Sequence, residues 1–426
     1  MTKLVTILGG SGFVGRYVAR RMAQAGWRVR VATRRPNEHM YVRTYGAVGQ
    51  VEPVLCNIRD DASVRAVIAG ADAVVNCSGI LVEGGKNTFQ AVHVDGAARV
   101  ARFASETGVK ALVHVSAIGA SGESDSDYQR SKAEGEAAVL ATFPDAVILR
   151  PSIIFGPEDA FFNRFGGQIR FSPLLPITGA ETRFQPVYID DIAQAAAQAA
   201  MGGAQPGVYE LGGPDIETFR GLMQRLLRET RRHRVIINLP GFIARIVARS
   251  LSAAQFMTAG LFTNSLLTLD QIRALAYDNV VSDGARTLAD LGIDPTPMEL
   301  ILPGYLWRYR PAGQYTAIVE SAKGLHGQHR AQDDPVDHIG READRVQKAH
   351  HQRQGQQRRH KGQPGGNGSV DQRLRIDVAD QVQRGQSAAG DDRGNGHQHR
   401  QARGVVALEP QKPGAGDGDP RTRGAR

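Results

Sequence analysis

The chain has 426 residues, 41% of them hydrophobic and 22% charged, with a formal net charge of +9. That length suits one large α/β domain plus a smaller one. Two cysteines, Cys56 and Cys77, without metal-type spacing exclude a disulfide framework and a cysteine zinc site, and they fit a reducing, cytoplasmic compartment. Much of the charge lies at one end: residues 324–426 hold 18 Lys and Arg against 13 Asp and Glu, the rest 34 against 30. A body so nearly balanced gives no support for nucleic-acid binding.

The first apolar run is Leu4–Leu8, early enough that no signal or transit peptide is expected before it. Gly9, Gly12 and Gly15 follow, opening a helix over Gly12–Ala25 whose inner face carries Val14, Val18 and Met22. A glycine cluster between a strand and a helix is a dinucleotide grip. The first glycine permits the turn, the second admits a pyrophosphate, the third lets helix and strand pack, and the helix N-terminus attracts the anion. Phe13 and Val14 are assigned to the cofactor site with them.

The second run, Val29–Ala32, ends in Arg34 and Arg35, where an acidic residue would hold the ribose of NAD. Two guanidinium groups suit a 2′-phosphate instead, so NADP(H) is favoured over NAD(H). After the third run, Val51–Leu55, Asn57 and Ile58 are placed to meet the adenine. Cys77, Ser78 and Gly79, after the fourth run Ala73–Asn76, join the cofactor set, as does Pro151 after the sixth, Val147–Leu149.

The fifth run, Ala111–Val115, leads into "HVSAIGASGESDSDYQRSKAEGEAAVL". Tyr128 and Lys132 stand four apart, on one face of the next helix. A tyrosine acts as general acid on a carbonyl when a nearby ammonium lowers its pKa, and Ser116 is placed to hydrogen-bond the same oxygen. Strands and helices alternating with continuous apolar strands argue for a doubly wound parallel sheet.

Beyond Pro151 the pattern loosens, and "PVYIDDIAQAAAQAAM" returns a strand and helix to the main domain. The expected division is an NAD(P)-binding Rossmann domain over 1–154 and 184–204, and a smaller, helix-rich substrate or partner lobe over 155–183 and 205–312. The segment 235–262 is apolar with sparse arginines: Arg245 and Arg249 share a face apart from Ile243, Ile246, Val247 and Leu251. That pattern suits a helix on a membrane surface or a partner, or one covering the lobe's core. Trp307, Tyr305 and Tyr309 either anchor an interface or close the lobe. From 324 onward no Phe, Trp or Tyr occurs, and the tail reads as disordered low complexity. No apolar run reaches the roughly 18 residues of a membrane span.

These residues resemble the short-chain dehydrogenase/reductase superfamily, in its extended or atypical branch, over about residues 1–310. The resemblance implies a Rossmann-type parallel sheet of about seven strands. It also implies Ser116, Tyr128 and Lys132 as the catalytic triad, with Lys132 on the nicotinamide ribose. Within "LRPSIIFGPEDAFFNRF", Phe155, Gly156, Glu158, Asp159, Phe162, Asn163 and Phe165 resemble the nucleotide-binding accessory subunit of respiratory complex I. "FQPVYIDDIA" and "YLWRYRPAGQY" are similar to its bacterial relatives. That family implies a tightly held NADPH near the quinone-reducing arm, with complex I core subunits or quinone-biosynthesis enzymes as partners. Two departures stand beside it. His93 occupies the usual asparagine position of the helix before Ser116, and Ser116 and Tyr128 are only 12 apart, which shortens any sugar-binding wall.

Three readings follow. The chain is an accessory or assembly protein of complex I or quinone metabolism at the inner face of the cytoplasmic membrane. Alternatively it is a working NADPH-dependent reductase or epimerase on a small carbonyl or sterol-like substrate. The third reading is a redox-sensing regulator.

Overall fold

A computed structural model describes residues 2–257, 268–316, 318–319 and 321–322. The expected disordered tail and the end of the 235–262 segment lie outside these residues.

Alternation of strand and helix begins at once. The order is β1 (Leu4–Leu8), α1 (Phe13–Gln24), β2 (Arg28–Thr33), β3 (Val51–Leu55), α2 (Asp61–Ile68), β4 (Ala73–Asn76), α3 (Asp95–Glu106), β5 (Ala111–Val115), α4 (Asp127–Thr142) and β6 (Val147–Pro151). The chain then leaves the sheet through β7 (Ile154–Phe155), α5 (Phe162–Phe171), β8 (Leu174–Ile177), β9 (Arg183–Phe184) and β10 (Val187–Tyr188). It returns by α6 (Ile189–Ala200) to β11 (Gly207–Leu211). Then come β12 (Glu217–Thr218), α7 (Phe219–Thr230), β13 (Val235–Asn238), α8 (Gly241–Met257), α9 (Leu269–Ala274) and α10 (Met298–Leu306).

Seven strands form one sheet in the order β11-β6-β5-β4-β1-β2-β3, and every neighbouring pair is parallel. The strand order reverses between β1 and β4, and a ligand crevice forms at such a switch point beyond the strands' carboxyl ends. The continuous apolar strands are explained by two covered faces. Val5, Ile7, Val75, Val113 and Leu149 pack with α1 and α6, while Leu8, Val74, Leu112 and Ile148 pack with α2, α3 and α4. Val18 and Met22 of α1 are fully buried, as the helical spacing requires.

One boundary differs from the sequence reading. The sequence pattern puts the stretch from 205 in the lobe, whereas β11 pairs with β6 from Gly207–Val147 to Leu211–Pro151 as the seventh strand. Leu288, Leu291 and Ile293 likewise join the α1–α6 core. β11 was hard to read because its polar Glu210 interrupts a five-residue strand.

A separate core joins the 155–184 excursion to the later helices: Phe155, Phe162, Leu175, Phe219, Leu222, Leu302 and Tyr305 are its buried centre. In α8, of residues 241–250 only Ala244 and Ala248 are buried. No described helix is long and apolar enough to cross a membrane.

The acidic motif after β7 is a knot in this lobe. Asp159, 3% exposed, accepts the Gly156 N–H at 3.2 Å, the Asn163 N–H at 3.1 Å and the Tyr305 hydroxyl. Asn163 in turn accepts from the Tyr309 hydroxyl at 2.9 Å, and the Tyr309 ring lies where a Cβ on Gly166 would come within 2.6 Å. Tyr305 and Tyr309 therefore close the lobe, while Trp307 stays 38% exposed. Asp159→Ala orphans two buried donors and one half-buried donor and is expected to cost about 2–4 kcal/mol. Tyr305→Phe removes one donor and is expected to cost about 1 kcal/mol. Urea denaturation midpoints of the two variants check this ranking.

Candidate nucleotide-binding and active site

The grip is built by backbone contact. Gly9 adopts φ +69°, and the Gly12 N–H closes the turn on the Gly9 carbonyl at 2.9 Å. A Cβ on Gly9 would lie 3.0 Å from the Cys77 carbonyl, and one on Gly15 only 2.4 Å from the Gly9 oxygen. So any side chain at these positions would push α1 off the turn. Gly12 caps α1 without a side-chain hydrogen bond, and no acid occupies the first turn, so the N-terminal amides remain available to an anion. Val14 packs on the sheet core, and Phe13 lies 3.4 Å from the Cβ position of Gly156 in the lobe.

At the end of β2, Arg34 is exposed with no hydrogen bond or ion pair among the described residues. Arg35 instead pairs with Glu38 at 3.2 Å. Ser11 and Thr33 hydroxyls meet at 2.9 Å beside them. The Asn57 side chain accepts the Arg59 N–H at 3.2 Å and so shapes the turn after β3, while Ile58 packs against Gly96 of α3. The Cys77 N–H bonds the Leu8 carbonyl at 2.9 Å, Ser78 N–H the Asn76 side chain at 3.1 Å, and the Pro151 carbonyl accepts Ile118 N–H at 3.0 Å.

The chemistry-bearing side chains gather at the ends of β4 and β5 and on α4. Lys132 is 5% exposed and donates to the Val115 carbonyl at 3.2 Å; a Cβ on Gly79 would stand 3.5 Å from its Nζ. Burial brings its pKa down to about 8. Ser116 is 4% exposed and its Oγ has no partner, an orphaned hydroxyl. Tyr128 is half-buried, with Lys132 Nζ 6.0 Å from its ring centre. Here the structure departs from the expectation that the ammonium lowers the phenol. Burial, seconded by the charge of Asp270, pushes Tyr128 up to about 12. It therefore holds its proton as an acid must.

His93 sits on a π-helical turn, Gln90–Val94, of the sort enriched at functional sites. Its Nε2 accepts the Ile80 N–H at 3.0 Å, which assigns the proton to Nδ1, 2.9 Å from Ser131 Oγ. The Ser131 hydroxyl in turn donates to the Tyr128 carbonyl at 2.8 Å. Both His93 nitrogens are thus committed. A Cβ on Gly135 would lie 2.2 Å from the His93 carbonyl, so that glycine lets α4 close on this turn.

Sequence reasoning missed His114 and Asp270. His114, in the quoted "HVS", is 2% exposed. The Asn76 amide nitrogen donates to its Nδ1 at 3.1 Å, leaving Nε2–H buried without a partner. A histidine inside an apolar strand was the available signal. Asp270 accepts Ser126 Oγ at 2.9 Å and the backbone N–H groups of Asp127 and Tyr128 at 2.6 and 3.2 Å, and nothing local to α4 announces it.

The arrangement fits a nicotinamide dinucleotide: a glycine cradle that Cβ atoms would fill, free helix amides, a buried ammonium and an orphaned hydroxyl. The profile of the NAD dependent epimerase/dehydratase family matches residues 5–212. The mitochondrial NADH dehydrogenase (ubiquinone) 1 alpha subcomplex subunit 9 of Arabidopsis thaliana is 34% identical over 322 residues, 73% of this chain and 79% of the relative. The ceramide reductase of Caulobacter vibrioides is 33% identical over 190 residues, 45% of this chain and 58% of that protein. The crystal structure of an NADPH-dependent quinone oxidoreductase of Escherichia coli with NADPH superposes at TM-score 0.55 and 17% identity, over 71% of this chain and 98% of that one, and shows a shared fold.

Burial, with the Lys132 charge second, holds His93 and His114 down to about 3, below their usual 6.5. Between these values the unfolded chain binds more protons, so stability rises with pH. Stability is expected to be full above about pH 6.5 and to fall progressively toward pH 3, and His114→Gln to remove roughly half of the histidine-dependent slope. Urea melts from pH 3 to 8 on both proteins measure it.

Proposed function

The chain belongs to the family of the alpha subcomplex subunit 9 of NADH dehydrogenase, within the NAD-dependent epimerase/dehydratase group, and from that premise we propose that it is an accessory or assembly subunit of an NADH:quinone oxidoreductase that holds NADP(H) as a structural element. The observation that carries this reading is the tie between grip and lobe. Glu158 accepts the Tyr17 hydroxyl of α1 at 2.7 Å and lies 3.8 Å from Arg16, while its neighbour Asp159 anchors Tyr305. A nucleotide at the N-terminus of α1 would brace the joint that positions the lobe. The committed nitrogens of His93 favour holding over turnover.

A second reading rests on the Ser116 Oγ, which lacks a partner, and on Tyr128, whose pKa burial raises. A bound nicotinamide supplies or accepts hydride. In this reading Ser116 would hold a small carbonyl's oxygen, Tyr128 would give it a proton, and Lys132 would hold the ribose, as in a reductase or epimerase or in a step of ubiquinone metabolism. The exposed apolar side chains of α8, Phe242 at 61% and Ile246 at 58%, support a peripheral membrane or partner contact.

NADP(H) preference rests on Arg34, an exposed guanidinium without a partner among the described residues, at the end of β2. Titration is expected to show Arg34→Asp, Arg35→Ala losing about a hundredfold in NADPH affinity while NADH affinity holds; unchanged discrimination removes the assignment. Gentle affinity purification of the tagged protein from native membranes is expected to bring down complex I core subunits in stoichiometric amount by mass spectrometry. Elution alone, or with quinone-biosynthesis enzymes, turns the reading to the reductase.

A further inference from the structure

A cavity of about 590 Å³ lies in the lobe between α8, α9 and the loop before α4. Its walls are apolar at Leu239, Leu269 and Ile272, yet three arginines line it: Arg245, Arg249 and Arg273, against the single carboxylate of Asp125. Among the described residues, little answers those cations. Arg245 uses its Nε on the Gly241 carbonyl at 3.2 Å. Arg249 has no hydrogen bond or ion pair among the described residues. Arg273 reaches the Asp125 carbonyl at 3.4 Å and Asp127 at 3.7 Å. Between Glu229 and Asp270 the sequence carries five arginines and no acid.

The polarity of α8 is arranged unusually. Arg245 and Arg249, one turn apart, line the cavity. Phe242 and Ile246 are 61% and 58% exposed, and Ile243 and Val247 are exposed beside them. A helix serving only to cover the lobe's core would bury such apolar side chains. This one turns cations to a hollow and hydrocarbon to the surroundings.

We propose that the cavity binds the phosphate head of an amphipath, a phosphate monoester bearing a long apolar chain. Two guanidinium forks on consecutive turns, with a third across the hollow, match a doubly charged tetrahedral anion, which accepts several N–H bonds at once. The chain lies along Leu239, Leu269 and Ile272 and leaves over the apolar exterior of α8. The volume is in the range of sites that enclose ligands of such size. The site lies apart from the dinucleotide grip, and the assignment stands whether or not hydride is transferred there.

Isothermal titration of the full chain with dodecyl phosphate below its micellar concentration tests this, beside inorganic phosphate and dodecyl maltoside. Dodecyl phosphate is expected to bind one to one. Arg245→Ala, Arg249→Ala is expected to weaken it by about a hundredfold, and the corresponding lysine pair to restore part of the loss. NADPH affinity, measured alongside, is expected to stay unchanged and so reports that the variant is folded. Inorganic phosphate binding as tightly as dodecyl phosphate makes this a site for free phosphate and overturns the amphipath. Equal binding of the maltoside, equal binding by the alanine variant, or no binding of dodecyl phosphate also overturns the proposal.

Discussion

The ammonium of Lys132 sets the terms for everything around it. It is nearly buried, meets one backbone carbonyl, and has no carboxylate within ion-pair distance among the described residues. The acid one turn along, Glu136, is taken up by Arg150 through bonds of 2.9 and 2.6 Å. A buried cation so thinly paired is costly, and the cost shows as a pKa pulled down to about 8. Burial keeps His93 and His114 neutral, and the Lys132 charge adds to the cost of protonating them. With three donors and a single protein acceptor, Lys132 keeps directions open toward the crevice, and ribose hydroxyls are acceptors of the right kind.

Around that charge the two cores are fastened at separate points. Glu158 reaches back to Tyr17 and Arg16 on α1. At the other side of the crevice Asp270 of α9 receives the first amides of α4, the helix that carries Tyr128 and Lys132. The lobe therefore touches both the helix that faces the nucleotide phosphates and the helix that carries the acid. Leu269 and Ile272, which wall the arginine-lined cavity, belong to the same short helix as Asp270. A ligand bound there would bear on the start of α4 through one side chain.

The sheet was legible because its information is local. Apolar runs with a glycine turn and a helix-spaced face identify strand, grip and helix without tertiary knowledge, and Gly9, Gly15, Val18 and Met22 lie where that logic puts them. Tyr128 and Lys132 share a face of α4 for the same reason. What escaped depends on distance along the chain. Asp270 caps α4 from more than a hundred residues away. β11 hides behind a charged residue, and the unpartnered Nε2 of His114 follows from which way the Asn76 amide points. The raised pKa of Tyr128 escaped too, because spacing reveals a neighbour but not the solvent lost around it.

The proton inventory of this pocket bears on whether it turns over. At neutral pH Tyr128 is protonated and can give its proton once. For a second cycle the phenol must be recharged, by solvent or by a neighbouring group. His93 cannot serve, since Nε2 is an acceptor held by Ile80 and Nδ1 is aimed at Ser131. His114 holds its proton on a nitrogen buried without a partner. Lys132 remains, and a pKa of about 8 places it close to losing a proton at neutral pH. The same ammonium is the group that would grip the ribose, so surrendering its proton weakens the hold on the cofactor. Recharging by a neighbouring side chain and retention of the cofactor thus draw on one group.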